Sequence, residues 1–404
     1  MTRNSWKAFI GLFILTMGTS TLTPLIPLYR TRFDLSNGTL TLLFSVYALT
    51  VVPTMLISGN LADRLGRKWM LLPAMAFMTI ASAVFAFTAS VPLLFVGRVL
   101  QGLAIGGFLG VGTAFIVDHA RADRRPWAAT MAGIAFRVGF GLGPGLAGLV
   151  AQNTRGEAAI HRPFQGHIAL MFVAIVAIAL APETIARRPG GRFALRVGVP
   201  DGQMRAFATF LAPATFFMSF LEGTLLSVAP LFIAHSQGGH TNVAVVGLVG
   251  FLTLAMGGLA PLMISRLDPR RAVLCGVAIS AIWSGLIPLA AWLDSVWLIV
   301  VAALAIGFTN GFILQGGTVI CSTVVPIRER GKLLSALYMC AYSGTLPVIA
   351  LGYISDAIGL PWALSIFCVL AVCLASFVLT VGRRNFRVVV PYNERAVQPV
   401  LVKV

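Results

Sequence analysis

The chain has 404 residues, 58% of them hydrophobic and only 11% charged, with a mean hydropathy of +0.90. Soluble domains carry roughly 25% charged residues, so a water-soluble enzyme or binding module is excluded and a polytopic membrane protein is implied. The net charge of +17 would suit a nucleic-acid binder, but the placement of the cations excludes one. Read against the apolar runs, 24 of the 30 Lys and Arg fall in the termini and alternate loops, four (Arg30, Arg32, Arg155, Arg162) on the other side, and two (Arg98, Arg137) inside spans. That is the positive-inside pattern of a membrane protein.

The first apolar run covers about 9–29 and holds Pro24 and Pro27, which soften its outer end. No small-residue cleavage site follows it, so it reads as a retained helix. Asp34 and Ser36 cap the second run, about 39–59, and a basic turn, GNLADRLGRKWML (Gly59 to Leu71), leads to the third, about 69–89. The fourth and fifth, about 93–117 and 127–151, flank the basic loop DHARADRRP. An outer loop with Arg155, Glu157, His161 and His167 precedes the sixth, about 168–181, which Pro182-Glu183-Thr184 ends. Six further runs lie near 207–233, 243–264, 272–292, 296–320, 333–354 and 362–381. At about 20 residues per crossing each can span, and an even number puts both termini on the basic side, which the positive-inside rule makes cytoplasmic.

The expected fold is therefore an all-α polytopic membrane protein with twelve transmembrane helices. The halves read as a degenerate repeat: sliding one on the other by 206 residues sets Ser343 opposite Arg137 and ISRLDPRR (Ile264 to Arg271) in the place of the first basic turn. The divisions are a six-helix bundle over 1–185, a Gly-, Pro- and Arg-rich linker over 186–206, a second bundle over 207–382 and a basic tail over 383–404.

The turn from Gly59 to Leu71 resembles the signature loop of the major facilitator superfamily of secondary transporters, through Gly59, Leu61, Ala62, Asp63, Arg64, Gly66, Arg67 and Lys68. The resemblance implies two six-helix bundles related by pseudo-two-fold symmetry around a central cavity, working by alternating access. It implies a cytoplasmic gate of Gly59, Asp63, Arg64, Arg67 and Asp118. Gly59 would allow close helix approach, Asp63 would oppose a helix N-terminus, and Arg67 would pair with Asp118. The bland alternative is an ordinary basic loop.

Arg98, Gln101 and Gly102 are similar to a fourth-helix motif linked in that family to proton coupling; the alternative is an Arg that snorkels to the interface. GFGLGPGLAG (Gly139 to Gly148) resembles the fifth-helix motif of drug/proton antiporters, with Gly139, Gly143, Pro144 and Gly148 as packing positions and Ala147 a departure from the usual paired glycines. Arg137 departs from the motif. It lies about ten residues into its span, where a cation must face a cavity or an anion. Glu222 is the one acid placed deep in a span. Burial favours a neutral carboxyl and an adjacent Arg a charged one, which makes Glu222 a candidate proton carrier, with Arg98 and Arg137 both open as partners. Drug/proton antiporters often carry an acid in the first helix, and this chain has none there.

Arg137, Tyr47, Phe136, Phe140, Phe216, Phe220, Phe312, Asn310, Gln315, Tyr338 and Tyr342 are the expected cavity residues. The five histidines read as loop or interface residues without metal-ligand spacing, and the five cysteines as buried small hydrophobes without a C-x-x-C. No HExxH, nucleophile motif or paired carboxylates point to an intramembrane enzyme. The functional expectation is proton-coupled efflux of small amphipathic or anionic compounds. An anion symporter or uniporter, and a non-transporting sensor on the same scaffold, are the alternatives. No cofactor is called for beyond a proton gradient. The expected partners are a small-molecule substrate, protons and the lipid bilayer, with no nucleic acid. The chain is expected as a monomer in a bacterial inner membrane.

Overall fold

A hydrocarbon layer offers backbone groups no water, so a chain this apolar must satisfy them within helices. The computed structural model describes residues 2–185, 198–200, 202–237, 241–264 and 267–386, and among these the regular structure is entirely helical. The N-terminal half contains α1 (Arg3–Phe33), α2 (Asn37–Leu65), α3 (Arg67–Ala86), α4 (Val91–Asp118), α5 (Arg125–Gln152) and α6 (Ala158–Ala179). The C-terminal half contains α7 (Met204–Ser236), α8 (Val243–Leu259, continued by Ala260–Ile264), α9 (Pro269–Trp292), α10 (Val296–Thr323), α11 (Glu329–Ile358) and α12 (Leu360–Asn385). Eleven of these are long and apolar enough to cross a membrane, and α8 is the shorter twelfth.

Each half has its own core. One cluster gathers Leu12, Tyr29, Phe44, Met78, Phe85, Phe108 and Phe164 from α1–α6. The other gathers Phe210, Phe217, Leu221, Ile299, Ile313 and Phe367 from α7–α12. This is the two-bundle architecture. Most of the expected linker and tail lies outside the described residues, but α7 begins inside the former at Met204 and α12 runs past 382 to Asn385. The described part of ISRLDPRR contributes Asp268, which caps α9 by accepting from the N–H groups of Arg270 and Arg271.

Several helices are broken where the sequence removes a backbone donor. In α1 the α-helix stops at Ser20, a 3₁₀ turn covers Thr23–Leu25, and Ile26–Phe33 resumes. In α7 the break falls between Ser227 and Ala229. Pro24 and Pro230 are related by the same 206-residue shift, so the internal repeat appears as matched breaks in the first helix of each half. The second segment of α11 begins at Pro347, after the first has ended at Ser343.

Four local expectations are corrected. Ser36 is the N-cap of α2, but Asp34 closes α1 instead, in a left-handed conformation with φ 49°. The sixth helix starts at Ala158, ten residues before the expected boundary, because Arg32 absorbs its first polar turns, with Glu157 at 3.3 Å and His161 at 3.2 Å. His167 is no interface residue. It is buried, with Nδ1 2.8 Å from Ser82 Oγ and Nε2 2.9 Å from the Ile14 carbonyl, and it ties α6 to α3 and α1. The cysteines are all free, and Cys275 and Cys373 are exposed rather than buried.

Candidate functional site

The two halves are closed on one face and parted on the other. On the face away from the basic loops, α2 lies along α11 and α5 along α8. Asp356, near the end of α11, accepts from the N–H groups of Asn37 and Gly38 at 3.0 and 2.8 Å, so its carboxylate sits on the N-terminus of α2. Asn37 Nδ2 donates to Ser355 Oγ at 3.1 Å and Ser45 Oγ to the Thr345 carbonyl at 3.3 Å. On the other seam, Val243 N donates to Gln152 Oε1 at 2.7 Å.

The glycine motif of α5 explains both of its packing faces. A methyl group at Gly143 would lie 2.1 Å from the Met17 carbonyl oxygen, and one at Gly139 2.5 Å from that of Phe13, so this stripe seats α1. At Gly148 a methyl would lie 2.6 Å from the Val243 carbonyl oxygen and 2.9 Å from Gly247 Cα, and the Pro144 ring packs on Gly250. That second stripe seats α8 of the opposite half.

Toward the basic face the halves separate around a cavity of about 640 Å³. Its walls come from α2 (Ser58, Gly59), α4 (Gly110, Thr113), α5 (Thr130, Gly133, Phe136, Arg137), α8, α10 (Gln315, Thr318, Ser322) and α11 (Ser335, Tyr338). Phe136, Arg137, Leu314 and Tyr338 form its blind end and also border a second space of about 60 Å³ on the far side, which Glu222, Tyr47, Phe44, Phe140 and Tyr342 complete.

The centre of the site is the ion pair between these spaces. Arg137 of α5 donates through a terminal guanidinium nitrogen to Glu222 Oε1 of α7 at 2.5 Å. The other terminal nitrogen points at the Met218 sulfur, 3.7 Å away. The side chains are 8% and 13% exposed, so the pair is largely desolvated and joins one half to the other. Tyr47 and Tyr342 meet edge to face above it at 6.4 Å, and Phe136 and Phe140 stack at 5.5 Å beside it.

Arg98 does not pair with Glu222. It is fully buried, and its partners are neutral: Nε donates to the Leu43 carbonyl at 3.0 Å, and the terminal nitrogens reach the Thr19 carbonyl at 3.0 Å, Gln101 Oε1 at 2.8 Å and the Phe44 carbonyl. Gln101 in turn donates to the Gly18 carbonyl at 2.8 Å. The reason lies in the break of α1. A helix leaves its last four carbonyls unpaired. Here Thr21 Oγ1 serves Met17, Gln101 serves Gly18 and Arg98 serves Thr19. Arg98 is thus a staple holding α1, α2 and α4, with its guanidinium 4.4 Å from the Tyr47 ring centre.

Other expected residues divide in the same way. Tyr47, Phe136, Phe140, Arg137, Tyr338, Tyr342 and Gln315 line one or both spaces. Phe220 does not: it is buried against Phe367 of α12, with ring centres 3.6 Å apart. Phe216 stacks on Phe220 at 6.3 Å and its backbone meets Gly344, while Phe312 packs against Ala260 and Ala272. Asn310 is fully buried and donates to the Met218 carbonyl at 3.2 Å, which steadies the turn of α7 below Glu222 rather than facing cargo.

In the basic loop, Arg67 pairs with Asp118 at 2.6 Å. Gly59 makes no close approach here; it borders the open cavity, and Asp63, a turn later, is exposed. Arg64, also in this last turn, is half-buried. The acid that meets the N-terminus of α3 is Glu183, which accepts from the N–H groups of Arg67 and Lys68 at 3.0 and 2.9 Å and so caps it. Sequence reasoning missed this role of Glu183 and the clasp of Asp356. The signal available for the first was a Pro-Glu-Thr stop beside a basic helix start.

The Major Facilitator Superfamily model matches residues 8–344 and 211–401. Among curated relatives, Multidrug resistance protein 1 of Bacillus subtilis (strain 168) is 27% identical over 59% of this chain and 61% of its own length, so the match spans less than two thirds of that relative. Multidrug efflux protein YfmO of the same organism is 26% identical over 84% of this chain and 83% of its length. Among solved structures, a peptide transporter POT is 14% identical with TM-score 0.77 over 96% of each chain. A D-xylose-proton symporter is 15% identical with TM-score 0.74 over 94% of this chain and 97% of its own. The likeness of these structures is one of fold. With twelve helices among its described residues, in two bundles, and a family match along nearly its whole length, the chain is a multi-pass membrane transporter, not an enzyme, and belongs to the major facilitator superfamily.

Proposed function

We propose that this chain exports small amphipathic compounds across a bacterial cell membrane in exchange for protons, working by alternating access as a monomer with both termini in the cytoplasm. The observation that carries the reading is the Arg137–Glu222 pair, which bridges the halves at the blind end of a cavity reaching toward the basic face. With that face cytoplasmic, the conformation is inward-open. Glu222 has given up its proton to the cytoplasm, and closing the pair draws Arg137 against α7.

Cargo then enters among Phe136, Tyr338 and Gln315. Reorientation breaks the seam between α2 and α11 and that between α5 and α8. On the outside, protonation of Glu222 removes its charge, parts the pair and lets Arg137 swing into the cargo space. Proton and cargo are thereby mutually exclusive, which is what exchange requires. The name of one Bacillus relative, a multidrug efflux protein, supports the direction.

The test uses inverted membrane vesicles with an inward-acid gradient and a fluorescent amphipathic dye. Wild type should accumulate dye and dissipate the gradient; Glu222→Gln, which mimics the protonated residue and cannot lose a proton, should do neither and should bind dye more weakly. Gradient-driven accumulation by folded Glu222→Gln would refute the role of Glu222. Binding without flux in the wild type would favour a sensor.

A further inference from the structure

We infer that Arg137 is an oxyanion site whose occupancy loads a proton onto Glu222, so that an organic anion and a proton are taken up together and the sign of proton coupling depends on the charge of the cargo. The inference rests on the pair as the proton-handling site, as proposed above, and adds a ligand class and an opposite direction of coupling.

Three observations carry it. Arg137 borders both spaces whereas Glu222 borders only the small one beyond, so a ligand arriving through the large cavity meets the guanidinium first. The contacts of Arg137 with Glu222 and Met218 engage two of the five N–H donors of a guanidinium, and one of them ends on a thioether, a weak acceptor. A carboxylate or sulfonate matches the fork of donors far better than Met218 does. The aromatic walls, Phe136, Tyr338 and Phe140, suit a flat apolar body behind the anionic head.

The charge balance follows from burial. The closed pair is neutral as a unit. When an oxyanion takes the guanidinium donors, the Glu222 carboxylate is left with no cation beside it in a space of about 60 Å³. An uncompensated buried charge is strongly disfavoured, and Arg keeps its proton under all ordinary conditions. Glu222 therefore takes a proton from the cavity water, and the loaded site, with one anion and one proton, is neutral again. The other titratable groups sharing its space are Tyr47 of α2 and Tyr338 and Tyr342 of α11, while α8 and α10 contribute Leu254 and Leu314. A cationic ligand has no such solution, because it would add to the charge of Arg137. A neutral ligand leaves the pair closed and keeps the exchange described above. With an inward proton gradient, anions bound in this way would be driven inward and neutral compounds outward.

The experiment uses the purified full-length chain in detergent and two probes of one shape, naphthalenesulfonate, which stays ionised, and its neutral sulfonamide. Calorimetry in two buffers of different ionisation enthalpy counts the protons exchanged. Sulfonate binding should take up about one proton per ligand and weaken about tenfold for each unit rise in pH where the pair is closed beforehand. Glu222→Gln should bind sulfonate more tightly with no proton exchanged. Arg137→Gln should lose sulfonate binding and keep the sulfonamide, and Arg137→Lys, which keeps the charge but not the fork, should bind weakly with the proton retained. Proton release, or no proton exchange, on sulfonate binding to wild type would overturn the inference. So would failure of wild type to bind sulfonate, or undiminished binding by folded Arg137→Gln. The dye assay separates this from the efflux reading: if wild type fails to accumulate dye against the gradient while sulfonate binding takes up a proton, exchange fails and the anion site stands.

Discussion

Gly148→Val should push the transporter toward its outward-open form. Gly148 lies in the far seam, where α5 and α8 touch through backbone. A Cβ there would stand 2.6 Å from the Val243 carbonyl oxygen and 2.9 Å from Gly247 Cα. Ordinary contact begins near 3.4 Å, so the helices must part by about 0.8 Å, and neither neighbour is a side chain that can turn away. Overpacking of this kind costs about 1–3 kcal/mol. The cost falls on the conformation in which the seam is shut, and converts to a shift of roughly 5–150-fold in the equilibrium between the two forms. The assay is maleimide labelling of Thr345→Cys, which lies under the far seam, and of Ser335→Cys, which lines the large cavity, in a background lacking the native cysteines. The first should react faster and the second more slowly. Gly110→Val, at a glycine with nothing within 4 Å, should change neither rate. Unchanged rates in folded Gly148→Val, or equal effects at Gly110, would show that the seam does not set the equilibrium.

Other consequences follow from the same geometry. Asp356→Asn removes the carboxylate from the N-terminus of α2, a contribution of about 0.3–1 kcal/mol; far-face labelling should rise about two- to fivefold, and no rise would mean that the clasp is incidental. Arg98→Lys cannot reach the carbonyls of Thr19, Leu43 and Phe44 and the Gln101 amide together. It should lose about 1–3 kcal/mol in a detergent unfolding series while proton exchange stays as in wild type, whereas lost exchange at unchanged stability would return Arg98 to the coupling route. Glu183→Gln replaces a charged cap on α3 with a neutral one. It should cost about 0.5–1 kcal/mol and less at high salt, as read by thermal unfolding, and salt-independent stability would refute the charge–dipole account.

The twelve spans and the basic face were legible because hydropathy and positive charge are one-dimensional signals that the bilayer imposes residue by residue. The paired breaks in α1 and α7 were half-visible, as Pro24 and the matching Pro230. Contacts between helices were legible only where a short motif fixes them. Gly139, Gly143 and Gly148 have no side chain and so advertise close approach, and Arg67 and Asp118 belong to a recurring loop. Depth along a helix carries no such information. Counting at 1.5 Å per residue left Arg98 and Arg137 equally placed for Glu222, since rotation about the helix axis and tilt decide which side chain faces the centre. Arg98 is turned into its own bundle by the open end of α1, a demand written in Pro24 on another helix. Phe220 and Asn310 were misplaced for the same reason: on α7 and α10 the aromatic and amide that suit a cavity wall also suit the packing of one bundle. Arg137 escapes this ambiguity on chemical grounds. An Arg at mid-membrane must find either a carboxylate or water, and on the site it shares with Glu222 it finds the carboxylate at 2.5 Å and borders the cavity as well. A residue with access to both can trade one for the other, and on the reading proposed above that trade accompanies the movement of the two halves.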